Sequence, residues 1–369
     1  MIVDRRILPH LDWAFVAAMV ALMAIGLASI YSAKWDFVHQ APGREFWRQL
    51  YAVGISLFVF VVCLLFDYRS LAQRSLIVYG ALIALLIYVA FFGVVRNGSR
   101  RWMIIGPLGD FQPSEFARVA IALVLAAYFS GAQRLSRSMR EIAIGGLFLA
   151  LPMILILRQP DLGTALTLMP VFLGVAFIGG MRMKWLGIVA LVALVLAWPA
   201  YKFALTDYQR GRIETFFNPE LDPKGEGYQQ LQARITVGSG GLFGKGFGGA
   251  TQAGGYGFLP EAHNDFVFSG LAEEHGFVGV LVALSLYLFV ILRGLEAAKL
   301  AKDRLGAYLV IGILSGFAFQ VVYNITMSAG LAPVKGLTLP LMSYGGSSLM
   351  ATLAGFGLIL NVRMRRFTN

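Results

Sequence analysis

Ten apolar runs of membrane length recur along this chain, near residues 13–33, 47–66, 75–95, 113–130, 142–157, 164–180, 186–205, 277–293, 306–328 and 346–362. A helix of about 20 residues rises about 30 Å, which matches the hydrocarbon core of a bilayer. No water reaches that core to satisfy backbone N–H and C=O groups, so a single spanning run of this length must be helical. The shorter runs extend into the residues that flank them. The expected fold class is an all-α integral membrane protein with about ten transmembrane helices. No internal repeat and no low-complexity linker divides the sequence, so residues 1–369 read as a single polytopic membrane domain. Residues 206–276 form the exception, a long loop between helices seven and eight.

Composition removes the alternatives. Apolar residues make up 58% of the chain and charged residues 14%, against roughly 25% charged in soluble domains. That is too little charge to cover a water-soluble globule and too much apolar mass for a disordered chain. One Cys rules out an internal disulfide, and four His leave little for a dedicated metal cage. The net charge of +11 is dispersed between the apolar runs. It reads as basic residues flanking membrane helices, and nucleic acid is not expected as a partner.

The same residues orient the bundle. One alternating set of short connections carries sixteen Lys and Arg, among them Arg5, Arg134, Arg293 and Arg363, against eight in the other, among them Arg48, Arg101 and Lys335. Basic residues concentrate on the cytoplasmic side, and long loops are left out of the comparison. Both termini are therefore expected in the cytoplasm and 206–276 outside. Arg5 and Arg6 resemble the start of a signal peptide, but the apolar stretch Trp13 to Ala33 is too long for one and reads as the first membrane helix.

Four outer segments carry polar residues that packing alone does not require. The first runs from Asn97 through Arg101-Trp102 to Gln112-Pro113-Ser114-Glu115. Pro suits the first turn of a helix, and an acid there meets the positive end of its dipole. That accounts for Glu115 but leaves Arg118, three residues on and on the same face. A charge inside a membrane helix is expensive and usually has a partner, so Glu115 and Arg118 are expected to pair and line a polar cavity. In the second segment, Gln159-Pro160-Asp161 repeats this pattern, and capping is the stronger reading of Asp161.

The third segment is the long loop, with Arg210, Arg212 and a run at 238–257 that holds ten Gly around Lys245. Such a run serves as a flexible linker, or its backbone N–H groups face an anion closely. Its spacing matches no phosphate-binding fingerprint. After it comes Glu261-Ala262-His263-Asn264-Asp265-Phe266. An acid beside apolar bulk can act as a general base, and it can equally cap helix eight. Glu273, Glu274 and His275 read as polar interface residues. The fourth segment, Pro333 to Ser348, has two Pro and two adjacent Gly and reads as an irregular re-entrant loop, tolerated at membrane depth only under protein or a wet cavity.

Taken together, the runs around Arg101-Trp102, Gln112 to Glu115, Gln159 to Thr164, Gly238 to Gly246, His263 to Phe268 and Ser343 to Ser348 resemble the SEDS family, the shape, elongation, division and sporulation polymerases of bacteria. Leu11-Asp12-Trp13 and Gly244-Lys245-Gly246 look most like the elongation branch, whereas Lys335 to Pro340 looks like the division branch. The resemblance implies a peptidoglycan glycosyltransferase that polymerises lipid II into β-1,4 glycan strands on the outer face of the bacterial cytoplasmic membrane. Its implied partners are a class B penicillin-binding protein, other elongation-complex membrane proteins and membrane lipids. The family's essential Asp falls on Asp265. Asn264 stands where the family has Thr, and Arg118 where it has Lys; Arg118 cannot lose its proton.

In that reaction Asp265 would act as the base, and the departing pyrophosphate would need positive charge. Arg48, Arg101, Arg210, Arg212 and Lys245 are the candidates, and a divalent cation, Mg²⁺ or Mn²⁺, could share the task. A lipid-precursor flippase would also use a polar cavity and broken helices, and a scaffold that only docks the transpeptidase would need the apolar helix faces but not Asp265.

Overall fold

The structure is a computed structural model and describes residues 10–36, 39–96, 99–105, 110–131, 137–199, 201–202, 207–218, 220, 222–223, 225–254 and 258–367. Thirteen α-helices lie among them: α1 Trp13–Ala33, α2 Arg44–Leu65, α3 Tyr68–Gln73, α4 Ser75–Phe92, α5 Ala117–Ser130, α6 Met139–Arg158, α7 Leu162–Ile178, α8 Met183–Pro199, α9 Asp207–Phe217, α10 Glu226–Ser239, α11 Val267–Lys299, α12 Arg304–Ser328 and α13 Gly346–Met364. Eight described helices are long and apolar enough to cross a membrane, α5 counting with the 3₁₀ turn Pro113–Phe116 before it. The runs near 164–180 and 186–205 fall on α7 and α8, each of 17 residues.

Helix ends are set by residues the chain places there. Asp12 accepts from the Phe15 amide at 3.3 Å, Asp161 from Thr164 at 3.1 Å, and Asp303 from Gly306 at 2.8 Å. Ser138 and Glu141 form a reciprocal capping box at the start of α6. Each satisfies amides that the first helical turn leaves without partners.

At the centre stands α13, whose membrane-length window is wholly buried, beside α5 and α12. Lipid offers helices no hydrophobic reason to associate, so close approach of small residues carries the packing. A Cβ on Gly357 would lie 2.7 Å from the Phe60 carbonyl and 2.8 Å from Cys63 Cβ, so α2 crosses α13 backbone to backbone.

The two ends of the bundle differ. At one, Asp12 accepts from Arg293 at 2.7 Å and Arg363 at 2.9 Å, and Glu296 joins both arginines. Nearby, Asp303 holds Arg69 and Tyr68, each at 2.9 Å. This terminal end carries the start of α1 and the end of α13. The opposite, loop end carries the polar segments singled out above.

The structure adds detail that the sequence reading left open. Strands β3 (Val94–Arg96), β4 (Ser99–Ile104) and β5 (Asp110–Phe111) form an antiparallel sheet, with Arg96 opposite Ser99. A two-stranded ribbon joins β1 (Trp35–Asp36) to β2 (Ala41–Pro42). Residues 206–276 hold two helices of their own, α9 and α10, so this segment is structured rather than a plain loop. Helix eight starts at Val267, so the apolar run near 277–293 extends ten residues into its flank, and Gly276 breaks it, at φ +62° and ψ −161°.

Candidate active site

Asp265 closes a turn at the loop end. The amides of Asn264 and Asp265 both donate to the Glu261 carbonyl at 3.0 Å, and the Asn264 side chain bonds the Glu261 carboxylate. Glu261 holds φ +52°, a left-handed conformation that a non-glycine residue adopts at a cost of about 1–2 kcal/mol. The turn rests on a small core of Ala253, Leu259, Ala262 and Phe266 against Ala233, Met327 and Val334. Asn324 of α12 donates to the Asp265 carbonyl at 2.8 Å and to Leu337 at 2.6 Å. The carboxylate itself faces the re-entrant segment: a Cβ on Gly336 would lie 3.6 Å from Asp265 Oδ2. That is ordinary contact distance; Gly336 itself holds φ +64°, where a side chain would strain the backbone, and Lys335 is next in the chain.

That segment, 329–345, is the hub of the loop end. The start of α7 packs directly on it, since a Cβ on Gly163 would lie 2.8 Å from the Lys335 carbonyl. Gln49 of α2 donates to the Ser343 carbonyl at 3.2 Å and accepts from the Gly345 amide at 3.1 Å. The Tyr344 amide donates to the His263 carbonyl at 2.9 Å, and the two rings lie 5.5 Å apart. Burial lowers the His263 pKa to about 4, and the charge of Lys34 adds to this against Glu261 and Glu45. Burial raises that of the Tyr344 hydroxyl, opposed by the charge and hydrogen bond of Arg48. Arg48 and Lys34 therefore stand beside the turn that carries Asp265.

Glu115 and Arg118 meet at 3.2 Å, both largely buried. Arg118 also donates to Gln320, to the Ser348 carbonyl at 3.3 Å and to Thr352 at 3.1 Å. Gln320 passes the connection on to the Thr338 carbonyl at 2.9 Å. The pair therefore ties α5 to α12, α13 and the re-entrant segment. Arg101 of β4 reaches Asp161 at 3.6 Å, and Gln112 donates to the same carboxylate at 2.8 Å. Asp161 is thus a helix cap and an ion-pair partner together.

The glycine-rich run does surround an anion, but the anion is the chain's own. Glu273, fully buried, accepts from Lys245 at 2.5 Å, from the amides of Thr251 and Gln252 at 3.0 Å, and from Ala253 at 2.9 Å. Glu274 accepts from the Gly248 amide at 3.2 Å and from Ser32. Lys245, expected to face pyrophosphate, pairs with Glu273, and Glu273, read as a polar interface residue, is a buried anchor for the glycine-rich run. Arg210 donates to the carbonyls of Tyr201 and Lys202, each at 3.0 Å. The Arg212 side chain lies outside the described residues. Of the five candidate cations, the structure brings Arg48 to the Asp265 turn and Arg101 to the neighbouring layer; Lys34 and Lys335 join them. Among the described residues no group of three or more His, Cys, Asp or Glu is placed to hold a metal ion.

The comparisons agree with this architecture. Peptidoglycan glycosyltransferase MrdB of Escherichia coli K12 is 34% identical over 357 residues, covering 97% of this chain and 94% of that protein. A chain from a solved peptidoglycan synthase complex, described as coordinating polymerization and crosslinking, superposes with a TM-score of 0.82 at 35% identity, covering 97% of this chain and 99% of its own. The crystal structure of the rod shape determining protein RodA from Thermus thermophilus superposes with a TM-score of 0.72 at 33% identity, covering 97% and 98%. The FtsW, RodA and SpoVE family profile, described as cell cycle protein, matches residues 12–367. A match over nearly the whole length, with the buried polar layer at one end of the bundle, places this multi-pass membrane protein in the FtsW/RodA/SpoVE family.

Proposed function

We propose that the chain is a peptidoglycan glycosyltransferase that polymerises lipid II into β-1,4 glycan strands during cell elongation, with Asp265 as its general base. The observation that carries the assignment of the base is the placement of Asp265. Its turn is held by Glu261, Asn324 and a dedicated small core, and its carboxylate faces the re-entrant segment at Gly336.

The reaction follows from that placement. The carboxylate takes the proton of an incoming sugar 4-hydroxyl, and that oxygen bonds to the anomeric carbon of the donor. The bond from that carbon to the lipid pyrophosphate breaks, and the pyrophosphate leaves with the electron pair. Attack opposite the leaving group turns an α-linked donor into a β-linked product. Protonated Asp265 then returns its proton to water. General-base help of this kind is worth about 10²–10⁴ in rate. Pyrophosphate is already a good leaving group, and its developing charge is met by fixed cations. Arg48, Arg101, Lys34 and Lys335 are the residues assigned to that task. Arg118 and Glu115 position the floor beneath them.

The basic residues of the terminal end assign it to the cytoplasm, with both termini there, and the loop end to the outer face of the cytoplasmic membrane. The polymerase works beside a transpeptidase, a class B penicillin-binding protein, in keeping with the synthase complex that it resembles. Copurification from cells identifies that partner and with it the elongation or division branch. The test of the base is glycan synthesis from lipid II by purified Asp265→Ala and Asp265→Asn together with the partner. Both lose activity by two to four orders of magnitude, about the value of a general base. Normal strand synthesis by either removes the assignment.

A further inference from the structure

The turn at 241–246 meets α11 where that helix breaks at Gly276. A break frees backbone groups on both of its sides, and this turn takes them up. The amides of Lys245 and Gly246 donate to the carbonyls of Glu273 and Glu274, each at 2.9 Å. The amides of Phe277 and Val278 donate to the carbonyls of Gly241 and Leu242 at 2.9 and 3.1 Å. In water such groups need no protein partner. At membrane depth they do, and irregular backbone is tolerated there only where protein satisfies it.

Two independent marks set the depth. The stretch from Phe277 to Lys299 is by itself long enough to cross, since about 20 residues span the hydrocarbon core. Ser32, one residue before α1 ends, bonds Glu274, and the Tyr31 ring stacks on Phe247 with centroids 6.1 Å apart. The turn therefore lies where two membrane helices leave the hydrocarbon on the side of the site. There it presents Leu242 and Phe243, 66% and 80% exposed, in continuity with the exposed Phe277, Val278 and Leu281 of α11. Its lysine is turned inward to Glu273.

We infer that Leu242 and Phe243 insert among the acyl chains just below the lipid headgroups, so that this turn is an interfacial anchor and not a loop in water. Its partner is the bilayer itself. Aromatic and apolar side chains at this level hold a segment at fixed depth. The hydrogen bonds of Glu273 to Thr251, Gln252 and Ala253, and the core that Ala253 shares with Leu259, Ala262 and Phe266, pass that depth on to the Asp265 turn. The inference concerns position alone and stands whether or not Asp265 is the base.

Single-cysteine proteins test it. In a Cys63→Ala background, Phe243→Cys and, in parallel, Leu242→Cys carry a nitrobenzoxadiazole label in vesicles of phosphatidylethanolamine and phosphatidylglycerol. Leu288→Cys, exposed in the middle of α11, marks lipid; Asn218→Cys, at the end of the polar helix α9, marks water. Emission at both turn positions shifts to the blue, towards that at 288, and loses most of the iodide quenching seen at 218. A nitroxide high on the acyl chain quenches both more than one near the chain end. Iodide quenching equal to that at 218 at both positions, with no quenching from the lipid side, overturns the inference.

Discussion

Glu273 and Lys245 offer a test that separates two uses of one positive charge. If Lys245 served pyrophosphate, its removal would weaken substrate use and leave the fold alone, and Glu273 would matter little. The structure orders the effects the other way. Glu273→Ala removes a fully buried carboxylate and strands the amides of Thr251, Gln252 and Ala253 as well as Lys245. Breaking a buried, hydrogen-bonded charge site costs about 3–5 kcal/mol. Lys245→Ala leaves the carboxylate with its amide donors, and the lysine is 30% exposed, so solvent screening holds its loss to about 1 kcal/mol. Glu273→Gln falls between, because its amide oxygen still accepts from the backbone. The assay is native-state proteolysis of the 240–262 segment in detergent, which tracks the open population. At 1.4 kcal/mol per decade, Glu273→Ala raises that population by at least about a hundred-fold and Lys245→Ala by about five-fold. Lys245→Ala that raises the KM for lipid II several-fold at wild-type protease resistance, with Glu273→Ala silent, would refute the anchor.

Three further outcomes follow from the same geometry. Arg118→Ala leaves Glu115 buried without its cation and lowers stability by about 3–5 kcal/mol; Glu115→Leu with Arg118→Leu recovers much of the loss in a thermal melt. Gly357→Leu forces α2 from α13 and costs about 1–3 kcal/mol by overpacking, read as a lower melting temperature. His263 is buried neutral with its pKa lowered to about 4 from an ordinary 6.5, so the opened turn binds the proton more readily than the closed one. The turn is therefore fully stable above pH 6.5 and weakens as pH falls from there towards 4, and His263→Gln removes that dependence in pH-resolved hydrogen exchange.

Much of this architecture was legible because a bilayer leaves few choices. The apolar runs located the membrane helices, and even the misplaced start at 277 coincides with the break at Gly276. The ten residues before it fell in the long loop because Glu273, Glu274 and His275 read as polar interface residues. Glu273 and Glu274 are tolerated in a helix because the glycine-rich run, some 26 to 28 positions earlier, supplies partners for both. No local pattern reveals a pairing at that separation. The Glu115–Arg118 pair was visible as neighbours on one helix face. Its other contacts, Gln320 and Thr352, lie more than 200 positions away and were not. One signal was present and unused: Asn97-Gly98 between Val94-Val95-Arg96 and Ser99 to Trp102 is the strongest short hairpin signature, and the flanking strands pair as it directs.

The wholly enclosed position of α13 also bears on how the protein is made. This helix leaves the ribosome after every other described one, yet α2, α5 and α12 close around it. Until it inserts, the groups that meet Ser347, Ser348 and Thr352 in the finished bundle, Gln112 and Arg118 among them, lack those partners. Biogenesis must shelter those groups from wrong partners, and a chain cut short before residue 346 should be cleared by proteases rather than accumulate as a smaller bundle.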